Sequence, residues 1–149
     1  MNKHILFACI FYCANSLAQV TVLEPLNFGT IVIPDNTSIR SITLLPNGGS
    51  TSNSIYLMQS GHPAELLLEG LGAGVQISFS DAGVFTALSR VNGGNAFTLS
   101  NISYSNTVVT TNAYGMATVK IGGQLNTSGN GQPYLDDRYS TTIEITIAY

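Results

Sequence analysis

Apolar and polar residues alternate along most of this 149-residue chain. Val75-Gln76-Ile77-Ser78-Phe79 alternates, as do Phe97-Thr98-Leu99 and Ala117-Thr118-Val119-Lys120-Ile121. The longest such run is Ile143-Glu144-Ile145-Thr146-Ile147-Ala148-Tyr149. A period of two means a strand with one face in a core and the other in solvent. Residues 26–33, 39–45 and 54–58 are further strand candidates. Strong turn signals divide these runs: Pro34-Asp35-Asn36, Pro46-Asn47-Gly48-Gly49, residues 70–74, Asn92-Gly93-Gly94-Asn95, Gly122-Gly123 and Ser128-Gly129-Asn130-Gly131. Residues 64–69 use good helix formers, but the segment is short, follows Pro63 and precedes a glycine. As a strand it points Leu66 and Leu68 inward and Glu65, Leu67 and Glu69 outward, so Leu67 is expected to be exposed or at an interface. About nine short strands with glycine-rich turns and no clear helix predict one all-β domain, an antiparallel β-sandwich.

The first residues read as an address. Met1-Asn2-Lys3-His4 is a short positive region, residues 5–12 are an apolar run too short to span a bilayer, and Ser16-Leu17-Ala18 is a small-x-small cleavage site. Residues 1–18 are therefore predicted to be a cleaved signal peptide and 19–149 the single domain. A lipoprotein signal ending at Cys9 is the rival reading, and it leaves too little apolar chain before the cysteine. Both cysteines, Cys9 and Cys13, fall in this segment. The exported domain then has no disulfide, thiolate metal site or thiol nucleophile, and must hold itself by packing.

Charge changes the picture further. After cleavage, Arg40, Arg90, Lys120 and Arg138 stand against eight acidic residues, a net charge of −4. No basic stripe exists for nucleic acid or for an anionic membrane surface. No apolar segment remains that would span a membrane after cleavage. The expected location is the periplasm, the cell surface or the extracellular space.

The last third carries an ordered pattern. Gly115-Met116-Ala117-Thr118-Val119-Lys120-Ile121-Gly122-Gly123-Gln124-Leu125 precedes a loop with Gln132, then Tyr139-Ser140 and the alternating strand to Tyr149. Earlier come Leu26-Asn27-Phe28-Gly29-Thr30-Ile31 and Gly61-His62-Pro63-Ala64. In order and spacing this resembles the secreted bacterial family known as domain of unknown function 4402. That family reads L-x-F-G-x-(I/V), a G-x-x-A strand entry, G-x-A-x-x-x-(V/I)-G-G-x-L, a loop with Gln, G-x-Y-S and a final V-x-V-x-Y strand. The resemblance covers nearly all of residues 19–149. It implies an immunoglobulin-like sandwich, no enzymatic activity, and kinship with spore-coat-U-type proteins and with pilin subunits of chaperone–usher systems in Gram-negative bacteria. The chain departs from the pattern at Asp136-Asp137-Arg138, where the family has a small residue and glycine, and in the short arm before Leu26.

If the run 141–149 is the sixth strand of an immunoglobulin-like topology, the sandwich lacks its last strand. Ile143, Ile145, Ile147 and Tyr149, with Leu26 and Phe28, would then border an open edge that accepts a partner's strand. A periplasmic chaperone and neighbouring subunits are the partners this implies. The donor would be a neighbour's arm, with Val20 and Val22 alternating as donor side chains. Six residues reach only about 20 Å. The alternatives are a short groove, a subunit that accepts without donating, or a closed sandwich whose first strand is the arm.

Other chemistry is thin. His62 is the only histidine after cleavage, so no multi-histidine metal site is available, and no G-x-S-x-G elbow is present; between Gly61 and Pro63 it is expected as an exposed turn residue. Glu65 and Glu69 would lie about 13 Å apart on a strand, beyond either glycosidase geometry. Asp136 and Asp137 with Asn126 and Asn130 form a polar loop that offers oxygens for Ca²⁺ without an EF-hand pattern, and Arg138 is expected to balance one aspartate. Tyr139 and Tyr149 are expected to pack their rings in the core. Tyr56, Tyr104, Tyr114 and Tyr134 sit near turns, where tyrosines can stack on sugars. No catalytic, cofactor or metal residue is assigned. Three functions remain: a pilin- or coat-like surface subunit, a self-contained module binding carbohydrate or a surface protein, and a small outer-membrane β-barrel ending in Tyr149.

Overall fold

The computed structural model describes residues 18–81, 83 and 85–149. The predicted signal segment, with Cys9 and Cys13, lies outside the described residues except for Ala18. Twelve strands and no helix occur among them. In chain order they are β1 (Gln19–Glu24), β2 (Asn27–Val32), β3 (Ser41–Leu44), β4 (Ser50–Asn53), β5 (Tyr56–His62) and β6 (Ala64–Glu69). Then follow β7 (Gln76–Asp81), β8 (Thr86–Leu88), β9 (Phe97–Tyr104), β10 (Val108–Thr110), β11 (Ala117–Asn126) and β12 (Ile145–Ala148). All pairings are antiparallel. The fold is an all-β antiparallel sandwich.

One layer is a seven-stranded sheet built around β11. This strand pairs with β6 through residues 117–121 and with β3 through 123–126, and its other edge takes β9. The hand-over from β6 to β3 falls at Gly122-Gly123. A Cβ on Gly122 would sit 2.1 Å from the Leu44 carbonyl oxygen. Read from sequence this pair of glycines marks a turn; it lies instead inside a ten-residue strand. Glycine is needed there because three backbones converge.

The facing layer has two parts, a three-stranded sheet in the order β10-β7-β12 and the pair β2-β5. The first part packs on one cluster, with Leu66, Leu68, Ile77, Phe79, Val119 and Ile121 at its centre. The second packs on another, made of Ile42, Ile55, Phe97 and Leu125 with Phe28, Ile31 and Leu57 against it. β11 supplies Val119 and Ile121 to one and Leu125 to the other, so it spans both halves of the core.

A two-strand ribbon ties the layers together. Gln19 pairs with Glu69 at one end of it and Val32 with Tyr56 at the other. It passes from one layer to the other at Pro25 and Pro63, which lack the N–H a continuous ladder needs. Each chain carries one bulged residue: Leu23 and Met58 have no ladder partner, and both are exposed. Residues 64–69 are a strand with Leu66 and Leu68 buried; Leu67 on the other face is half-buried.

Sheets with free edges, packed face to face, are not one closed cylinder. The outer-membrane barrel expected as a third possibility is thus not the architecture of the described residues.

Candidate functional site

By strand order, β10 runs through the turn at 112–116 into β11, which sets β12 on the opposite flank, the flank of β1. Among the described residues, β12 pairs with β7 alone. Its second edge therefore presents unpaired N–H and C=O groups. Edge strands are usually blunted by shortness, charge, proline or a bulge; Ile145-Thr146-Ile147-Ala148 is short, and it has no charge, proline or bulge. Ile145 and Ile147 point at the first core cluster and are half-buried. Across the sandwich, Val20 and Val22 face inward beside Leu68 and Leu66, yet both are exposed.

The six residues expected at an acceptor edge are thus divided. Ile145, Ile147 and Leu26 converge on the first cluster. Phe28 packs on the second. Ile143 is half-buried just before β12. Tyr149 does not pack in the core as expected; it is 69% exposed, because the ladder with β7 ends at Ala148. The candidate donor residues Val20 and Val22 lie in β1, paired with β6 of their own chain.

A second feature is a cluster at one pole. Asn36 is buried, and its amide is a hub: Nδ2 lies 3.0 Å from Ser128 Oγ, 3.0 Å from Asn130 Oδ1 and 2.7 Å from the Gln132 carbonyl, while Oδ1 accepts from Gly129 N. Beside it Arg40 Nη2 donates to Asp35 Oδ2 at 2.7 Å, and this hydrogen bond chiefly holds the Asp35 carboxyl below its usual range. Tyr134 stacks on Phe97 with centroids 4.1 Å apart, and Tyr139 meets Phe97 edge-on at 4.9 Å. Next to these rings is a concavity of about 330 Å³ lined by Arg90, Asn95, Gln132, Pro133, Leu135 and Tyr139. None of the signals for Asn36, Arg90 or Asn95 exceeded a turn motif, since each acts with residues far away in the chain.

His62 closes β5 and is half-buried, not an exposed turn residue, because the strand runs on to Pro63. Glu65 lies 3.7 Å from Lys120 Nζ across the β6–β11 ladder, and Glu69 pairs in register with Gln19. Asn130 Oδ1 and Asn126 Oδ1 accept internal hydrogen bonds, and Asp137 lies 3.6 Å from Arg90 Nε, so Arg90 and not Arg138 is the cation beside it. Among the described residues no group of three or more His, Cys, Asp or Glu is placed to hold a metal ion. Tyr104 stacks on Phe79 and donates its hydroxyl to Asp81 Oδ2 at 3.1 Å; burial, then the Asp81 charge, push its pKa up to about 12. Tyr56 and Tyr114 are exposed.

A family model described as Domain of unknown function (DUF4402) matches residues 18–149. The chain belongs to this family. DUF4402 thus spans every strand from β1 to β12 in this chain. Neither the comparison with curated proteins nor that with solved structures gave a match.

Proposed function

We propose that this DUF4402 chain is an exported cell-surface structural subunit of pilin- or coat-like kind, completed by a β-strand from a partner. The observation that carries this reading is the second edge of β12, unpaired among the described residues and without charge, proline or bulge. A strand added there extends the β10-β7-β12 sheet over the flank where Val20 and Val22 stand exposed. Backbone hydrogen bonds supply affinity, and apolar side chains at alternate positions bury against the valines and against Ile145 and Ile147. The partner is a periplasmic chaperone during export and a neighbouring subunit afterwards. Because β1 is already paired with β6, the subunit accepts a strand without giving up its own arm. No catalytic role is proposed.

The test is to purify residues 19–149 without detergent and follow circular dichroism through a thermal melt alongside sedimentation. An unstable or self-associating chain, rescued as a monomer by an alternating apolar peptide or a periplasmic chaperone, supports strand acceptance. A cooperative monomeric melt that such a peptide does not move removes its physical basis.

A further inference from the structure

We infer that the concavity at the pole of the sandwich binds one neutral pyranose unit of a glycan. The cavity, about 330 Å³, falls at the low end of the range for small-molecule sites. Its wall offers the two surfaces a sugar needs. Tyr139, Pro133 and Leu135 make the apolar side, and Leu135 is exposed although nothing in the fold requires an open leucine there. The Tyr139 ring is held still: its hydroxyl donates to the Leu135 carbonyl at 3.1 Å and its ring meets both Phe97 and Tyr134 edge-to-face. The C–H face of a pyranose carries partial positive charge that suits the negative face of an aromatic ring.

The polar side comes from Arg90 and Gln132. The Arg90 side chain is largely buried, yet among the described residues its hydrogen bond to Gly93 O and its ion pair both run through Nε. Its Nη groups are left as donors. Gln132 has its backbone pinned from three directions, by Asn36, Asn95 and Asn130, while its side-chain amide makes no hydrogen bond among the described residues. A carboxamide offers one acceptor and two donors, and a hydroxyl can use either kind. Three amides and an internal lattice of bonds thus hold a rigid stem for two free polar groups. The charge at the site selects a neutral ligand. Asp137 lies beside Arg90 at 3.6 Å, so the guanidinium is already balanced, and Asp136 and Arg138 on either side of Asp137 offset one another, which leaves no net charge to draw an acidic sugar.

The experiment is an NMR titration of isotope-labelled exported chain with methyl β-D-glucopyranoside, methyl β-D-galactopyranoside and methyl α-D-mannopyranoside, with sodium glucuronate as the acidic comparison. Saturable shifts confined to residues 90–95 and 132–139, with a dissociation constant of about 1 mM for at least one neutral glycoside, are expected. Tyr139→Ala is expected to weaken binding about tenfold and Gln132→Ala about fivefold. Gln132→Ala removes only an exposed side chain and keeps the fold, so it decides the matter if Tyr139→Ala unfolds. No saturable shift up to roughly 50 mM, tighter binding of glucuronate, shifts centred on β12, or unchanged affinity in Gln132→Ala each overturns the assignment.

Discussion

Val22 stands directly across the β1–β6 ladder from Leu66, on the same face of the sheet, yet Val22 is 60% exposed and Leu66 only 8%. Paired side chains in an antiparallel ladder share a face. The difference therefore comes from what lies opposite: the second layer covers β6 and stops before β1. The two positions should respond differently to substitution. Leu66→Ala is expected to cost about 2–5 kcal/mol, as for other buried leucines. Val22→Ala should stay within about 0.5 kcal/mol in the isolated chain. With a complementing peptide bound the cost of Val22→Ala should rise, which denaturant titrations with and without peptide would reveal. An equal effect in both conditions would place the added strand elsewhere.

Gly122 offers a test of the strand hand-over. A methyl group there would meet the Leu44 carbonyl, and Ser103 Oγ is also within 3.0 Å, so β3 or β9 must move. Gly122→Ala should destabilise by about 1–3 kcal/mol or more, the usual range for overpacking. Gly72→Ala is the control: its nearest neighbour is a Val75 methyl at 3.5 Å, and a melt of that variant should match the parent chain.

Asn36 holds the pole by donation. Its amide nitrogen faces three oxygens, so Asn36→Asp sets a carboxylate oxygen against acceptors and should lower stability more than Asn36→Ala. The alanine variant is expected to lose about 1–3 kcal/mol for the partners left unsatisfied. Hydrogen exchange at Gly129, whose N–H donates to Asn36 Oδ1, should quicken in Asn36→Ala, which alone loses that acceptor. Unchanged protection would mean the loop holds itself.

Tyr104 should make stability depend on alkaline pH. Its pKa rises from the ordinary 10.0 to about 12 in the folded chain. Below pH 10 the phenol is protonated in both states and its contribution is fully present. Above 10 the unfolded chain ionises first, so stability falls and the contribution is lost as pH passes through 12. Phenolate absorbance should show one tyrosine titrating late, and Tyr104→Phe should flatten stability across that window. A late tyrosine that survives Tyr104→Phe would assign the shift to another ring.

Half-burial is what made much of the fold legible. The alternating runs at 75–79, 97–99 and 117–121 each overlap a strand almost throughout, and that at 143–149 contains one at Ile145–Ala148, because a face in the core enforces the period. β4 gave no such signal, since Ser50–Asn53 is exposed throughout and no position demands an apolar residue. β8 and β10 are three residues each, too short for a period to register. Gly122-Gly123 has the composition of a turn and the position of a strand centre, and only the close approach of the β3 backbone and of Ser103 to Gly122 explains it. The alternating run ending at Tyr149 predicts inward rings and side chains by parity alone; parity holds, but the ladder ends one residue too soon. Of the pole, only the loop with Gln132, Tyr134 and Tyr139 was legible, and not what it meets. Asn36, Arg90, Asn95 and Gln132 are joined across gaps of dozens of residues, and no local pattern encodes that meeting.

The position of β11 governs the order in which this chain can fold. Its partners β3, β6 and β9 all precede it, and each relies on it for a ladder edge. A ribosome delivers them first. Until residues 117–126 emerge, Ile42, Leu66 and Leu99 have no finished sheet to bury them. Ladders such as β1–β6, β2–β5 and β3–β4 can close earlier, but their inward faces stay without a common sheet until β11 joins them.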